Sequence, residues 1–196
     1  MKKEEKIQKY DIKLQKYIDN KSYIKICRTV FDNEENISGF VLEMSNDFIL
    51  IQDTYDFMFD GYAIIRKDDF DKIRHSSYEQ TQRKIYKAEG LLTEGYGFDR
   101  CLPLTNWKDI LETLKEYDLH VIIENINKDH LDFWIGEIAR VTKENVEIHN
   151  YDPNGTLDEE PKSINFDSIS SLKFLDSYST TFRKYLKSRK KKTTNR

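Results

Sequence analysis

Four groups of side chains carry charge at a spacing tight enough to do chemistry. Arg66 and Lys67 stand beside Asp68 and Asp69. Such a basic corner suits contact with a phosphate or a partner, or a local ion pair in a solvated turn. Asp53, Asp56 and Asp60 crowd one short segment, and Asp152, Asp158, Glu159 and Glu160 crowd another. These read as an acidic surface for a basic protein, or as solvated loops. Arg183 and Lys184 open a C-terminal stretch that holds eight basic residues and no acidic one up to Arg196.

Other residue types supply less. Asp152-Pro153-Asn154-Gly155-Thr156-Leu157-Asp158 spaces oxygens as a calcium loop does, but Leu157 stands where a glycine is required and no glutamate closes the loop. His75, His120, His130 and His149 show no ligand spacing, so no metal is expected. Cys27 and Cys101 lie far apart and read as free thiols of a reducing, cytoplasmic compartment. No serine sits in a nucleophile elbow, and Gly95-Tyr96-Gly97 lacks the lysine and the strand-to-helix context of a phosphate loop. The sequence therefore predicts a non-enzymatic protein without a cofactor.

The elements that must position these residues occur twice. Gly39-Phe40-Val41-Leu42-Glu43-Met44 returns as Gly136-Glu137-Ile138-Ala139-Arg140-Val141, an offset of 97. Asp68 returns as Asp167, an offset of 99, and Ser77-Tyr78 as Ser177-Tyr178, an offset of 100. So slow a drift implies a duplicated unit with small loop insertions. Each copy reads as a helix, five short strands and a closing helix. In the first copy the helix covers 4–19 and the strands cover 23–30, 37–44, 48–53, 62–67 and 70–75, with 32–36 as a polar turn. Ser76 caps a helix running to Ala88, with Glu79 in its first turn. In the second copy Asn106 caps a helix with Ile110, Leu111, Leu114 and Tyr117 on one stripe. Strands follow at 119–126, 133–142, 145–150, 162–166 and 169–174, then a helix from Ser177 to about Lys187.

Gly39, inside a strand, marks a sharp bend or a close backbone approach, the device that curls a sheet into a barrel. Five bent antiparallel strands of this size close best as a small barrel, which removes exposed edges. The fold class expected is mainly β with flanking helices, as two tandem five-stranded antiparallel barrels. The units are 1–88, a linker at 89–106 with Tyr96 and Phe98 anchored on a barrel, 107–189, and a basic tail at 190–196.

Net charge is −3, but without the eight basic residues of the C-terminal stretch 24 basic residues face 35 acidic ones. An acidic body is a poor general trap for nucleic acid. No apolar stretch approaches the roughly 18 residues needed to span a bilayer, and no signal peptide is expected behind Met1-Lys2-Lys3-Glu4-Glu5-Lys6.

The element order, the glycine in the bent second strand and the two-residue link before the fifth resemble the Sm-like (LSm) fold. Ile65-Arg66-Lys67-Asp68-Asp69-Phe70 fills the second motif of that family, and Ile164-Asn165-Phe166-Asp167-Ser168-Ile169 fills it less well. The polar pair of the first motif is absent: its places hold Ser45 and Ile49, and in the second copy Thr142 and Val146. The resemblance implies barrels joined edge to edge through fourth and fifth strands, with further self-association through the remaining edges. It also implies an RNA contact at Arg66, the one pocket position that carries over, although most of the nucleobase pocket is missing; beside it, Lys67, Asn165, Arg183 and Lys184 are candidate contacts for nucleic acid or a partner. The functional expectation is an interaction module for a protein partner, of inhibitor or immunity type. The alternative is a degenerate RNA-binding protein.

Overall fold

The computed structural model describes residues 3–31, 33–127 and 130–187, with side chains from Tyr10 onward. The basic tail expected at 190–196 lies outside these residues. Helix α1 (Lys3–Asp19) leads into β1 (Tyr23–Val30), β2 (Asn33–Met44), β3 (Phe48–Tyr55), β4 (Met58–Arg66) and β5 (Lys72–Arg74). Helix α2 (Ser77–Ala88) closes the first half. The second half runs α3 (Trp107–Glu116), β6 (His120–Asn127), β7 (His130–Val141), β8 (Asn145–Asn150), β9 (Lys162–Asn165), β10 (Ile169–Phe174) and α4 (Ser177–Phe182). One-turn 3-10 helices at Lys67–Asp69 and Phe166–Ser168 link the fourth strand to the fifth in each half, and another at Arg183–Tyr185 follows α4.

The protein is mainly β, and its strands form one open antiparallel sheet in the order β5-β1-β2-β3-β4-β10-β6-β7-β8-β9. The expectation of two barrels, each closed on its own strands, is not met. The edge of β4 pairs instead with β10, Ile65 opposite Ser171 and Tyr62 opposite Phe174. This seam satisfies both backbone edges across the halves, so neither has to pair its own outer strands. Within each half the order is the same: fifth, first, second, third, fourth.

The glycines explain the bend. A Cβ on Gly39 would lie 2.0 Å from the carbonyl oxygen of Gln52, and one on Gly136 1.9 Å from that of His149. Each glycine lets the neighbouring strand approach where no side chain fits. Two residues on, each half carries a β-bulge, between Val41 and Glu43 and between Ile138 and Arg140. Both leading helices end in the same way. Lys21 and Asp118 adopt φ of 45° and 54°, and Ser22 and Leu119 donate to the carbonyls of Tyr17 and Leu114.

Side-chain alternation sorts the core. Ile24, Ile26, Ile37, Val41, Ile49, Ile51, Ala63 and Ile65 share the inner face of the first half under Leu14 of α1. Its outer face is buried too. Tyr23, Phe40 and Tyr86 of α2 cluster there, while Phe48, Leu50 and Ile64 join the interior of the second half around Ile110, Leu111 and Leu114 of α3. One of the core clusters therefore spans both halves, while the inner face of the first half keeps its own. The linker lies on the first half: Gln52 donates to the Gly95 carbonyl at 2.6 Å and accepts from Gly97 N at 2.9 Å, and Tyr62 donates to the Gly97 carbonyl at 2.7 Å.

Residues 33–36, expected as a turn, belong to β2, because Val30 pairs directly with Asn33 and Arg28 with Glu35. Arg28 is 2 % exposed and faces the inside of the curl. Its guanidinium reaches Glu35 at 2.6 Å, Glu124 of β6 at 2.7 Å and the Ser170 hydroxyl of β10 at 2.8 Å. Three strands separate β1 from β10 in the sheet, so the first half curls until side chains, rather than a backbone ladder, bridge its gap. The thiols of Cys27 and Cys101 are free. Among the described residues no helix is long and apolar enough to cross a membrane.

Candidate binding cleft at the seam

In each half the turn after the second strand is fixed by a hydroxyl. Ser45 Oγ accepts from Asp47 N at 3.2 Å and Phe48 N at 3.0 Å. Thr142 Oγ1 accepts from Glu144 N at 3.4 Å and Asn145 N at 3.0 Å. Each turn is then bonded to the 3-10 helix of its own half: Lys67 N donates to the Asp47 carbonyl at 2.8 Å, and Phe166 N to the Glu144 carbonyl at 2.9 Å. The seam between β4 and β10 sets these two paired turns side by side.

Between them lies a cleft of about 570 Å³. Arg66 spans it: Nη2 donates to the Phe166 carbonyl at 2.5 Å and Nη1 to the Asp167 carbonyl at 3.3 Å. Its guanidinium lies 5.7 Å from the centre of the Trp107 ring, which meets Phe48 edge-on at 4.8 Å. The Lys67 ammonium is buried in an ion pair with Asp11 at 2.5 Å. The rim carries Lys108 and Lys143 against Asp47, Asp68 and Asp167, and the N-terminus of α3 opens on it. Asn106 caps that helix by accepting from Asp109 N at 2.9 Å. Cations and the helix dipole favour an anionic group here, while the carboxylates oppose a polyanion. Among the described residues no cluster of metal-ligating side chains occurs.

Of the basic contacts expected from sequence, Arg66 and Lys67 line the cleft. Asn165 flanks it, its carboxamide accepting from Asp167 N at 2.9 Å. Arg183 lies elsewhere, bound to the carbonyl and carboxylate of Asp118 beyond the far end of α3. That ten-residue helix sets Arg183 roughly 15 Å from the cleft along its axis. Lys184, in the 3-10 turn after α4, is exposed and is likewise no part of the cleft.

The acidic set is not gathered into one surface, since β10, β6 and β7 lie between the hairpin of β3–β4 and the β8–β9 connection. Several of its members serve the fold. Asp53 pairs with Lys173 at 2.8 Å across the seam. Burial lowers the Lys173 pKa, but the adjacent Asp53 carboxylate outweighs this and holds it above the ordinary lysine value. Asp60 accepts from Ser177 N at 2.8 Å. Asp152 accepts from Asn154 N and Thr156 N at 2.9 and 2.8 Å, holding its own turn, and Asp158 accepts from Asn150 at 3.2 Å. Asp56, Glu159 and Glu160 are exposed.

Sequence reasoning missed Lys108 and Lys143, which reach the cleft only through tertiary placement. It also missed Arg28, although an arginine in phase with Ile24 and Ile26 on a strand is a readable sign of an inward charge. No protein-family model matches this chain, and neither a curated protein nor a solved structure shows significant similarity to it.

Proposed function

We propose that this chain is a non-enzymatic interaction module built as a tandem of Sm-like units, and that the seam cleft receives a segment of a protein partner. The strand order repeated in the halves, and the seam joining a fourth strand to a fifth, support the Sm-like reading. The observation that carries the partner class is the state of the two central cations. Lys67 is neutralised by Asp11, and Arg66 has one donor on each terminal nitrogen committed to the carbonyls of Phe166 and Asp167, so the pair presents one uncompensated charge rather than two. What remains is a rim of mixed sign, which suits a polypeptide better than a nucleic acid backbone. An inhibitor or immunity-type protein of the cytoplasm is the class this fits.

The second reading, an RNA-binding protein, is favoured by Lys108, Lys143 and the α3 N-terminus on the same rim. One experiment separates the two. The full chain and its Lys143→Glu, Asp167→Lys double variant are used to capture partners from nuclease-treated and untreated lysate. A stoichiometric protein that survives nuclease and is lost with the variant supports the first reading. RNA recovered only without nuclease, with affinity falling steeply as salt rises, overturns it in favour of the second.

A further inference from the structure

The β3–β4 hairpin turns in two residues, Asp56 and Phe57, because Tyr55 pairs with Met58. Both turn residues have positive φ, 43° and 63°. Two-residue hairpins need this geometry, and Asn-Gly supplies it with least strain. A phenylalanine there is a steric outlier. The tip is also strongly exposed: Tyr55 is 66 %, Phe57 45 % and Met58 62 % accessible. Tyr55 and Met58 are directly opposed across the strands and therefore project on one side. The tip is held from behind, since the Tyr86 hydroxyl donates to the Met58 carbonyl at 3.2 Å and Phe59 packs 5.4 Å from the Tyr86 ring. Tyr55 and Met58 stand mostly in water, and Phe57 is half-exposed beside the Tyr86 ring at 6.5 Å, all on a strained turn. Strain and exposed apolar surface together point to recognition.

We propose that this tip is a preformed knob that docks into an apolar pocket of a basic protein. Residues 53–60 contain no lysine or arginine, and with Asp53 neutralised by Lys173 the charges left beside the knob are the exposed Asp56 and the half-buried Asp60, both negative. A partner pocket rimmed with lysine or arginine complements it, and an anionic membrane surface repels it. This surface is separate from the seam cleft and stands or falls independently of it.

The test uses the full chain and a labelled amphipathic peptide of lysine and leucine, with a glutamate and leucine peptide as the charge-reversed control. Anisotropy titration should show the lysine peptide binding at least tenfold tighter than the control. The Phe57→Gly, Met58→Ser variant should lose at least tenfold of that affinity while its melting temperature is maintained or raised. Asp56→Lys should weaken binding several-fold and flatten its salt dependence. Equal binding of both peptides, or undiminished binding by the variants, overturns the proposal. So does Phe57-dependent sedimentation with phosphatidylcholine/phosphatidylserine vesicles, which assigns the tip to lipid. Self-association of the chain that the variant abolishes assigns it to a second copy, and overturns it equally.

Discussion

The β3–β4 connection turns in two residues without a glycine, whereas its counterpart between β8 and β9 runs from Tyr151 to Pro161 and places Gly155 at φ 75°. The second loop does what a loop needs for itself: Asp152 holds the turn, and Lys187 N bonds the Gly155 carbonyl at 2.9 Å. The first spends conformational strain on a half-exposed Phe57. At the bends, the turns and the ends of the leading helices the two copies agree closely. The glycines, the bulges, the hydroxyl-fixed turns and the helix ends recur because strand approach and backbone hydrogen bonding admit few solutions. The copies part company where geometry stops dictating the residue, and those places are where function should be sought.

The largest test of that contrast is at the shared glycines. Gly39→Ala and Gly136→Ala each force a Cβ into a carbonyl oxygen at about 2 Å, and each should destabilise by about 4 kcal/mol or prevent folding. Urea unfolding checks it. If only one of the pair is harmful, the halves are not equivalent at the bend.

Arg28 and its counterpart Asn125 should differ. Arg28→Met leaves Glu35 and Glu124 facing each other without their shared cation, at a cost of about 3 kcal/mol. Asn125→Ala removes one hydrogen bond from the Trp134 indole, 2.8 Å long, and should cost about 1 kcal/mol. Equal losses would show that the charged bridge does not distinguish the first curl from the second.

The closing helices differ in their caps, and acid should reveal it. Glu79 is 2 % exposed; burial raises its pKa, but hydrogen bonds from Arg74 and Ser76 outweigh that and hold it at about 2, below the ordinary 4.5. A depressed carboxyl stabilises the fold above the unfolded value, and that stability is lost as pH falls from 4.5 towards 2. The loss should be on the order of 2 kcal/mol, and Glu79→Gln should remove this part of the pH dependence of thermal unfolding. His120 adds a smaller slope of the same sign. Burial and Arg183 depress its pKa, so folding is favoured above the ordinary 6.5 and weakened below it.

The smallest effect runs the other way. Phe57→Gly relieves the positive φ and should stabilise the protein by about 1 kcal/mol, read as a raised urea midpoint. Destabilisation would mean that Phe57 belongs to the aromatic cluster around Tyr86, its ring neighbour at 6.5 Å.

Local chemistry made much of this architecture legible from sequence. Ser76 with Glu79, and Asn106, announced two helix starts because a cap is a short-range requirement. Gly39 and Gly136 announced the bends, since a missing Cβ has few other uses inside a strand. The closed barrels were misread because edge satisfaction does not say which edge is satisfied, and β10 lies more than a hundred residues from β4. Residues 33–36 looked like a turn because Asn33, Glu34, Glu35 and Asn36 are polar. Glu35 is in a strand because Arg28 faces it. Arg66 was found through its motif and does line the cleft. Lys108 and Lys143 carry no local mark of their place there, since a lone lysine on a helix or a turn is ordinary surface.

The seam between β4 and β10 also dictates an order of events. During synthesis the first five strands emerge with the flank of β4 bare, and its mate arrives only after some hundred further residues have been threaded. Such distant mating slows assembly and leaves a naked strand open to strangers in the meantime. A nascent or truncated chain lacking the last strand is therefore the form of this protein most exposed to aggregation, and the one for which a chaperone matters most.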